Sequence, residues 1–380
     1  MSAILASLFG KETLIGLDIG SAYLKAVQVE AHRESFRVTR AAQQKMPVGA
    51  MRDGVILDRD AVAGAIRQML KSASISATGA VLSVSGPTVV VRQITLPKMT
   101  EAALRKSARY EASKYITANI DDSAIAFDII GPVEDDPNLM NVMLVAAPRD
   151  MVESRIDVVE RTGLEAVAVD IEAFALQRSL VDCNRMRYND GALRAFVDMG
   201  ASHTEVTLVI GSQFGLTRSI NIAGDTFTDA IKNQLRLDVA EAERRKTEVD
   251  LNVLLNPGSA TDPQAGEAPR AIQSILDELL REVRRSINFY QSQQPEGADP
   301  KPLAEIILSG GNAQLGGLAP YMMARLGTEV RLADVFDSTA FEAAPEAEAW
   351  LREQAPRLGI AAGLAVKEHL ATPVVLNTKL

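Results

Sequence analysis

Asp18 and Gly20 sit at a bend in an apolar stretch, L-I-G-L-D-I-G-S-A-Y-L-K-A-V-Q-V at residues 14–29. The pattern returns at residues 195–210 as A-F-V-D-M-G-A-S-H-T-E-V-T-L-V-I, around Asp198 and Gly200. Val, Ile and Leu on either side suit strands, and each glycine permits a turn that a Cβ would resist. Main-chain amides and hydroxyls of Gly20, Ser21, Gly200, Ala201 and Ser202 are then candidate contacts for the β- and γ-phosphates of a nucleotide. A carboxylate repels phosphate directly. Asp18 and Asp198 can still hold a hydrated Mg²⁺ that bridges to it, because Mg²⁺ keeps several waters and needs few carboxylates. Lys25 admits two readings, as an offset to the nucleotide's charge or as a solvated strand residue. A third turn, I-I-L-S-G-G-N-A-Q-L-G-G-L at residues 306–318, follows another apolar strand and lets backbone lie flat against a base or ribose.

The elements that must position these turns read as α/β. Strand patterns occupy residues 14–29, 35–43 and 80–84, with an Ala-rich helix at 59–72. Residues 89–166 form a βαβ-like unit: a strand at 89–96, Pro97 as punctuation, a helix from Thr100 to about Ile116, and strands near 124–131 and 142–147. The Pro-, Asp- and Glu-rich residues 132–137 make a solvated hairpin loop. Helices follow at 225–235 and 238–247. Residues 256–269 and 291–302 lack a hydrophobic period and read as poorly ordered loops. Between them one long helix places Ile272, Ile275, Leu276, Leu279, Leu280, Val283, Ile287 and Tyr290 at three- and four-residue steps. Glu and Arg fill its other face as solvated charge.

With 380 residues, 47% of them hydrophobic, the chain exceeds the length at which a single core stops growing, so two or more domains are expected. A net charge of −9 opposes nucleic-acid binding, which needs a concentrated basic surface. The lone Cys183 excludes an internal disulfide, and His32, His203 and His369 show no zinc-ligand spacing. No apolar run approaches the roughly 20 residues that span a bilayer. The first residues lack the basic leader of a signal peptide, and the last ten are too short to anchor in a membrane, so no direct membrane insertion is expected.

Two phosphate hairpins separated by a large insertion and followed by a late S-G-G turn resemble the actin-like ATPase superfamily. Within it, the chain is similar to the PilM family of type IV pilus assembly. The phrases that carry this are F-G-K at residues 9–11, L-P-K-M-T at 96–100, Y-E-A-S-K-Y-I at 110–116, V-A-A-P-R at 145–149, V-D-I-E-A-F-A-L at 169–176, I-A-G-D-T-F-T at 222–228, R-R-S-I-N-F-Y at 284–290 and L-G-I-A-A-G-L-A at 358–365. The resemblance implies a two-domain actin-like (ribonuclease H-like) α/β ATPase fold with a small α+β subdomain inserted in the first domain. Domain I would be residues 1–88, completed by 167–194 and 356–380; the insertion 89–166; domain II 195–355.

ATP and Mg²⁺ are the implied cofactors. Glu172 takes the place of the group that positions the hydrolytic water, with Asp170 as runner-up, beside Asp18 and Asp198. A structural salt bridge gives either carboxylate an equal account. In the A-E-R-R-K run, Glu243 and Lys246 would face ribose and base, and Ser309, Gly310, Gly311 and Gln314 would close the adenine side. The alternative for the A-E-R-R-K run is a charged helical face. Ala201, Ser202 and His203 follow Gly200 where faster members carry more glycine, so slow turnover and a structural or switching nucleotide are expected.

The implied partner is the N-terminal cytoplasmic tail of a PilN-like single-span inner-membrane protein. It would lie in a groove near Val91, Ile94, Leu96, Met99 and Leu104, residues that read equally well as buried core. Other pilus platform or motor proteins and self-association are further implied contacts. The location would be cytoplasmic, peripheral to the inner membrane. Filament formers of the FtsA or bacterial-actin kind and small-molecule kinases share the nucleotide core. The cytoplasmic domain of the secretion protein GspL resembles the chain too, but that family continues into a membrane-spanning helix.

Overall fold

The structure is a computed structural model that describes residues 13–32, 35–116, 119–133, 135–184, 187–256, 258, 263–293, 301–338, 340–345 and 347–370. The phrase at residues 9–11 and both chain ends lie outside them. Two compact units emerge: Met1–Ser179 with Thr339–Leu351 and Ile360–Leu380, and Leu180–Ser338 with Arg352–Gly359.

In the first unit, strands β1 (Leu14–Ile19), β2 (Tyr23–His32), β3 (Ser35–Lys45), β6 (Gly79–Val84), β10 (Glu165–Ile171) and β16 (Phe341–Ala343) form a six-stranded sheet in the order β10-β6-β1-β2-β3-β16. A separate short antiparallel ribbon pairs β4 (Met51–Arg52) with β5 (Val55–Ile56). β6 is buried along its whole length, as its unbroken small and apolar sequence requires of a central parallel strand. Helix α1 (Arg59–Ser72) starts where Asp58 accepts the Ala61 N–H at 3.0 Å, and it buries Val62, Ile66, Met69 and Leu70. Because β16 pairs with β3, residues 341–343 complete this sheet and belong with the first unit, not with the expected second domain. Helix α4 (Glu172–Leu180) follows β10 directly. Helix α10 (Glu348–Ala365) approaches it so closely that a Cβ on Gly363 would lie 1.8 Å from the Ala175 carbonyl oxygen.

The insertion is a three-stranded antiparallel sheet, β7 (Val90–Pro97), β9 (Asp136–Pro148) and β8 (Ser123–Val133), with helix α2 (Glu101–Ser113). Thr100 caps α2 by accepting the Ala103 N–H at 3.2 Å. The expected loop at 132–137 is mostly strand, since Val133 already pairs with Asp136. Helix α3 (Arg149–Thr162) leads from the insertion back to β10. Ile94, Leu96 and Leu104 are buried with Ala112, Met140, Val142 and Leu144 in the insertion's own core. This corrects the partner-facing assignment of those three: their side chains hold sheet to helix. Val91 and Met99 are only partly buried.

The second unit is a five-stranded sheet, ordered β13-β12-β11-β14-β15, of β11 (Leu193–Met199), β12 (Thr204–Ile210), β13 (Gln213–Ile220), β14 (Leu303–Ser309) and β15 (Glu329–Leu332). Helices α5 (Gly224–Leu235), α6 (Val239–Thr247), α7 (Asn252–Leu255), α8 (Glu267–Ser292) and α9 (Leu318–Leu326) accompany it. The stripe on α8 enters the core through Ile272, Leu276, Leu279 and Val283. α8 is longer at both ends than the loops at 256–269 and 291–302 imply. Pro269 lies in its first turn, where a missing N–H removes no intrahelical bond. Residues 257, 259–262 and 294–300 lie outside the described residues.

Candidate nucleotide-binding hairpins

Both Asp-x-Gly motifs fold into hairpins with the same closure. The Gly20 N–H donates to the Tyr23 carbonyl at 3.1 Å, and the Gly200 N–H donates to the His203 carbonyl at 3.1 Å. These two amides therefore close the turns and are directed away from a phosphate. The remaining amide candidates are those of Ser21, Ala201 and Ser202.

In the first unit, β1 and β2 set Asp18 opposite Lys25. Asp18 is only 2% exposed, and the Lys25 ammonium reaches its Oδ2 at 2.6 Å. Lys25 is therefore not a solvated strand residue; at 15% exposure it neutralises a buried carboxylate. Glu172, half-buried, is the first residue of α4. Arg155, buried on α3, donates to the carbonyls of Gly54 at 2.6 Å and Met151 at 3.1 Å. Burial pushes its guanidinium below the ordinary arginine range, and the charges of Glu172 and Asp18 oppose that shift. Asp18 and Glu172 thus lie within electrostatic reach of a buried cation that sequence reasoning missed. Its only signal was a position one helix length upstream of β10. Asp170 has a different occupation: its Oδ2 accepts from Arg178 at 2.8 Å and faces the Lys367 ammonium at 3.1 Å, all three groups being buried. It is the centre of a structural ion cluster.

In the second unit, three motifs distant in sequence meet at one atom. The Gly200 carbonyl accepts the Gly224 N–H at 3.1 Å, from the I-A-G-D-T-F-T motif, and the Asn312 side-chain amide at 2.7 Å, from the S-G-G turn. Ser309 donates to Asp198 Oδ1 at 2.7 Å. Gly310 has φ +88°, and a Cβ there would lie 2.5 Å from the Met199 carbonyl oxygen, so the turn lies flat against the end of β11. Gly311 is exposed, and Gln314 donates to the Glu353 carbonyl at 2.8 Å. Asn312 went unread in the sequence, although it sits inside the S-G-G-N turn.

Glu243 and Lys246 pair at 2.7 Å across one turn of α6. Lys246 is buried and also donates to Thr228 Oγ1 at 2.9 Å and the Gly224 carbonyl at 3.2 Å, so its ammonium is turned onto the first turn of α5. Glu243 keeps an exposed side chain. Asp225, in that same turn, has its carboxyl raised by burial, against the pull of Lys246.

Glu205 was also missed. It stands opposite Asp198 in the β11–β12 register, is 9% exposed, and accepts from Thr217 at 2.7 Å through Oε1. Its Oε2 is buried with no hydrogen-bond partner among the described residues. Burial, opposed by the Thr217 hydroxyl and aided by the nearby Asp198 charge, pushes this carboxyl up to about 7.

The donors fit a magnesium nucleotide. Each hairpin end offers one carboxylate, the kind of donor a largely hydrated Mg²⁺ needs, and the positive φ at Gly310 presses the S-G-G turn against the end of β11. Within its own unit, each of Asp18 and Asp198 would hold such a cation through water. When bound, it would screen phosphate charge.

The fold and these hairpins define an actin-like ATPase architecture. MreB5 of Spiroplasma citri bound to AMPPNP shares it at 12% identity and a TM-score of 0.51, covering 94% of this chain and 96% of that one. The cell division protein FtsA of Streptococcus pneumoniae is 25% identical over 359 residues, 83% of this chain and 74% of that protein. The structure of a PilM-PilN type IV pilus biogenesis complex matches far better, with a TM-score of 0.80 and 26% identity over 93% of this chain and 98% of that one. The model of the type IV pilus assembly protein PilM family matches residues 16–369, and the chain belongs to that family.

Proposed function

We propose that this protein is an ATP-binding adaptor of type IV pilus assembly that binds the N-terminal cytoplasmic tail of a PilN-like inner-membrane protein. The observation that carries this reading is the similarity, over 93% of the chain, to a structure described as a PilM-PilN complex. It acts at the cytoplasmic side of the inner membrane and is held there by its partner. No helix among the described residues is long and apolar enough to cross a membrane, in keeping with attachment through a protein. On the insertion, Val91 and Met99 are the surviving candidates for tail contact, because Ile94, Leu96 and Leu104 are committed to its core.

Mg-ATP acts as a switching ligand in this reading. Asp18 and Asp198 orient the cation through water, Ser21, Ala201 and Ser202 contact phosphate, and Glu243, Lys246, Ser309, Gly310, Gly311 and Gln314 border the nucleoside. Glu172 orders water for a slow hydrolysis. It lies at the start of a helix, beside the charge of Arg155. Calorimetric titration of the Mg-ATP-loaded protein with the tail peptide of the PilN-like protein encoded beside it tests the adaptor role. Saturable one-to-one binding is expected, weakened by Val91→Asp. A folded, nucleotide-loaded sample that binds no peptide would refute the role.

A further inference from the structure

The C-terminal half of α8 carries a surface that none of these roles uses. Arg281, Arg284, Arg285, Asn288, Phe289 and Ser292 line a shallow surface cavity of about 470 Å³. They recur at three- and four-residue steps, so they form one outward stripe opposite the core-facing one. Phe289 is 46% exposed. The next residue, Tyr290, is packed so closely on β13 that a Cβ on Gly215 would lie 2.7 Å from its ring, which leaves Phe289 as the aromatic turned outward.

The charge here runs against that of the whole chain, which is −9. No carboxylate is among the lining residues. Arg281 and Arg285 pair with Glu278 and Glu282 on the preceding turn, and Glu282 is shared with Arg218 at 2.9 Å. Arg284 donates to the Arg325 carbonyl at 2.9 Å, a neutral acceptor, and forms no ion pair among the described residues.

We propose that this face of α8 binds an acidic peptide segment of a partner protein that carries a large apolar or aromatic residue. Guanidinium forks match carboxylates two bonds at a time, and an exposed aromatic among arginines is the composition of an interface centre. A nucleic acid or an anionic lipid surface fits less well, because it needs a broad basic face, whereas the basic groups here are three arginines on one short stretch of helix.

A fluorescein-labelled dodecapeptide of aspartate and glutamate with one central tryptophan, titrated into the full chain and followed by anisotropy, is the test. Saturable binding is expected. Arg284→Glu with Arg285→Glu should weaken it by about tenfold or more, and Phe289→Ala by several-fold, with Mg-ATP binding and melting temperature unchanged. A lysine version of the peptide should not bind. Absence of saturable binding to a folded sample, or binding that the double variant keeps, would overturn the proposal. So would a double variant whose sole defect is in self-association, or in binding to phosphatidylglycerol vesicles or duplex DNA.

Discussion

The two hairpins share one backbone and differ in what faces the aspartate. Each opposing residue lies seven positions after its aspartate and directly across the strand pair: Lys25 opposite Asp18, Glu205 opposite Asp198. The first hairpin is thereby neutralised within itself. The second sets a carboxyl beside a carboxylate and holds Asp198 by the Ser309 hydroxyl. A cation approaching Asp18 must compete with an ammonium 2.6 Å away, whereas Asp198 is held on one oxygen by the neutral hydroxyl of Ser309. On the proposed magnesium-nucleotide reading, the duplicated turn would divide the labour unevenly, with Asp198 the stronger attractor of Mg²⁺ and Asp18 the stronger structural element.

Removing the lysine should have the largest effect on stability. Lys25→Ala leaves a buried carboxylate without its counter-charge and should cost about 3 kcal/mol in urea unfolding. A loss under about 1 kcal/mol would mean that Asp18 is neutralised some other way.

Glu205→Gln probes the other hairpin through pH. The folded-state carboxyl is raised from 4.5 to about 7, so between those values the folded chain holds a proton that the unfolded chain has released. This contribution to stability is fully present below about pH 4.5, is lost as pH rises towards 7, and is level above it. The whole change is on the order of 3 kcal/mol. In urea melts from pH 5 to 8 the Gln variant should lack this downward slope relative to the parent. Parallel profiles would show that Glu205 titrates normally.

The smallest effect belongs to Ser309→Ala, which deletes the 2.7 Å bond to Asp198 and should lower stability by about 1 to 2 kcal/mol. Mg-ATP affinity should fall only a few-fold, because the carboxylate itself remains.

Both turns were legible because Asp-x-Gly between apolar strands is a local pattern, as was the stripe that buries α8. The cross-strand partners were not. Which residue opposes Asp18 depends on turn length and register, and the repeated seven-residue offset becomes informative only once both hairpins are known to close on the third residue after the glycine. Ile94, Leu96 and Leu104 illustrate the same limit, since alternation along a strand does not say whether its apolar face meets a neighbouring helix or a partner. Arg155 and Asn312 reach their sites through tertiary contacts with no local signature.

Calorimetric titration of Mg-ATP into the parent protein, Asp198→Ala and Asp18→Ala tests the account most directly. Saturable binding to the parent, a loss of about tenfold or more in Asp198→Ala, and a smaller loss in a folded Asp18→Ala are predicted. Unchanged affinity in Asp198→Ala would contradict the assignment of the second hairpin as the magnesium nucleotide site.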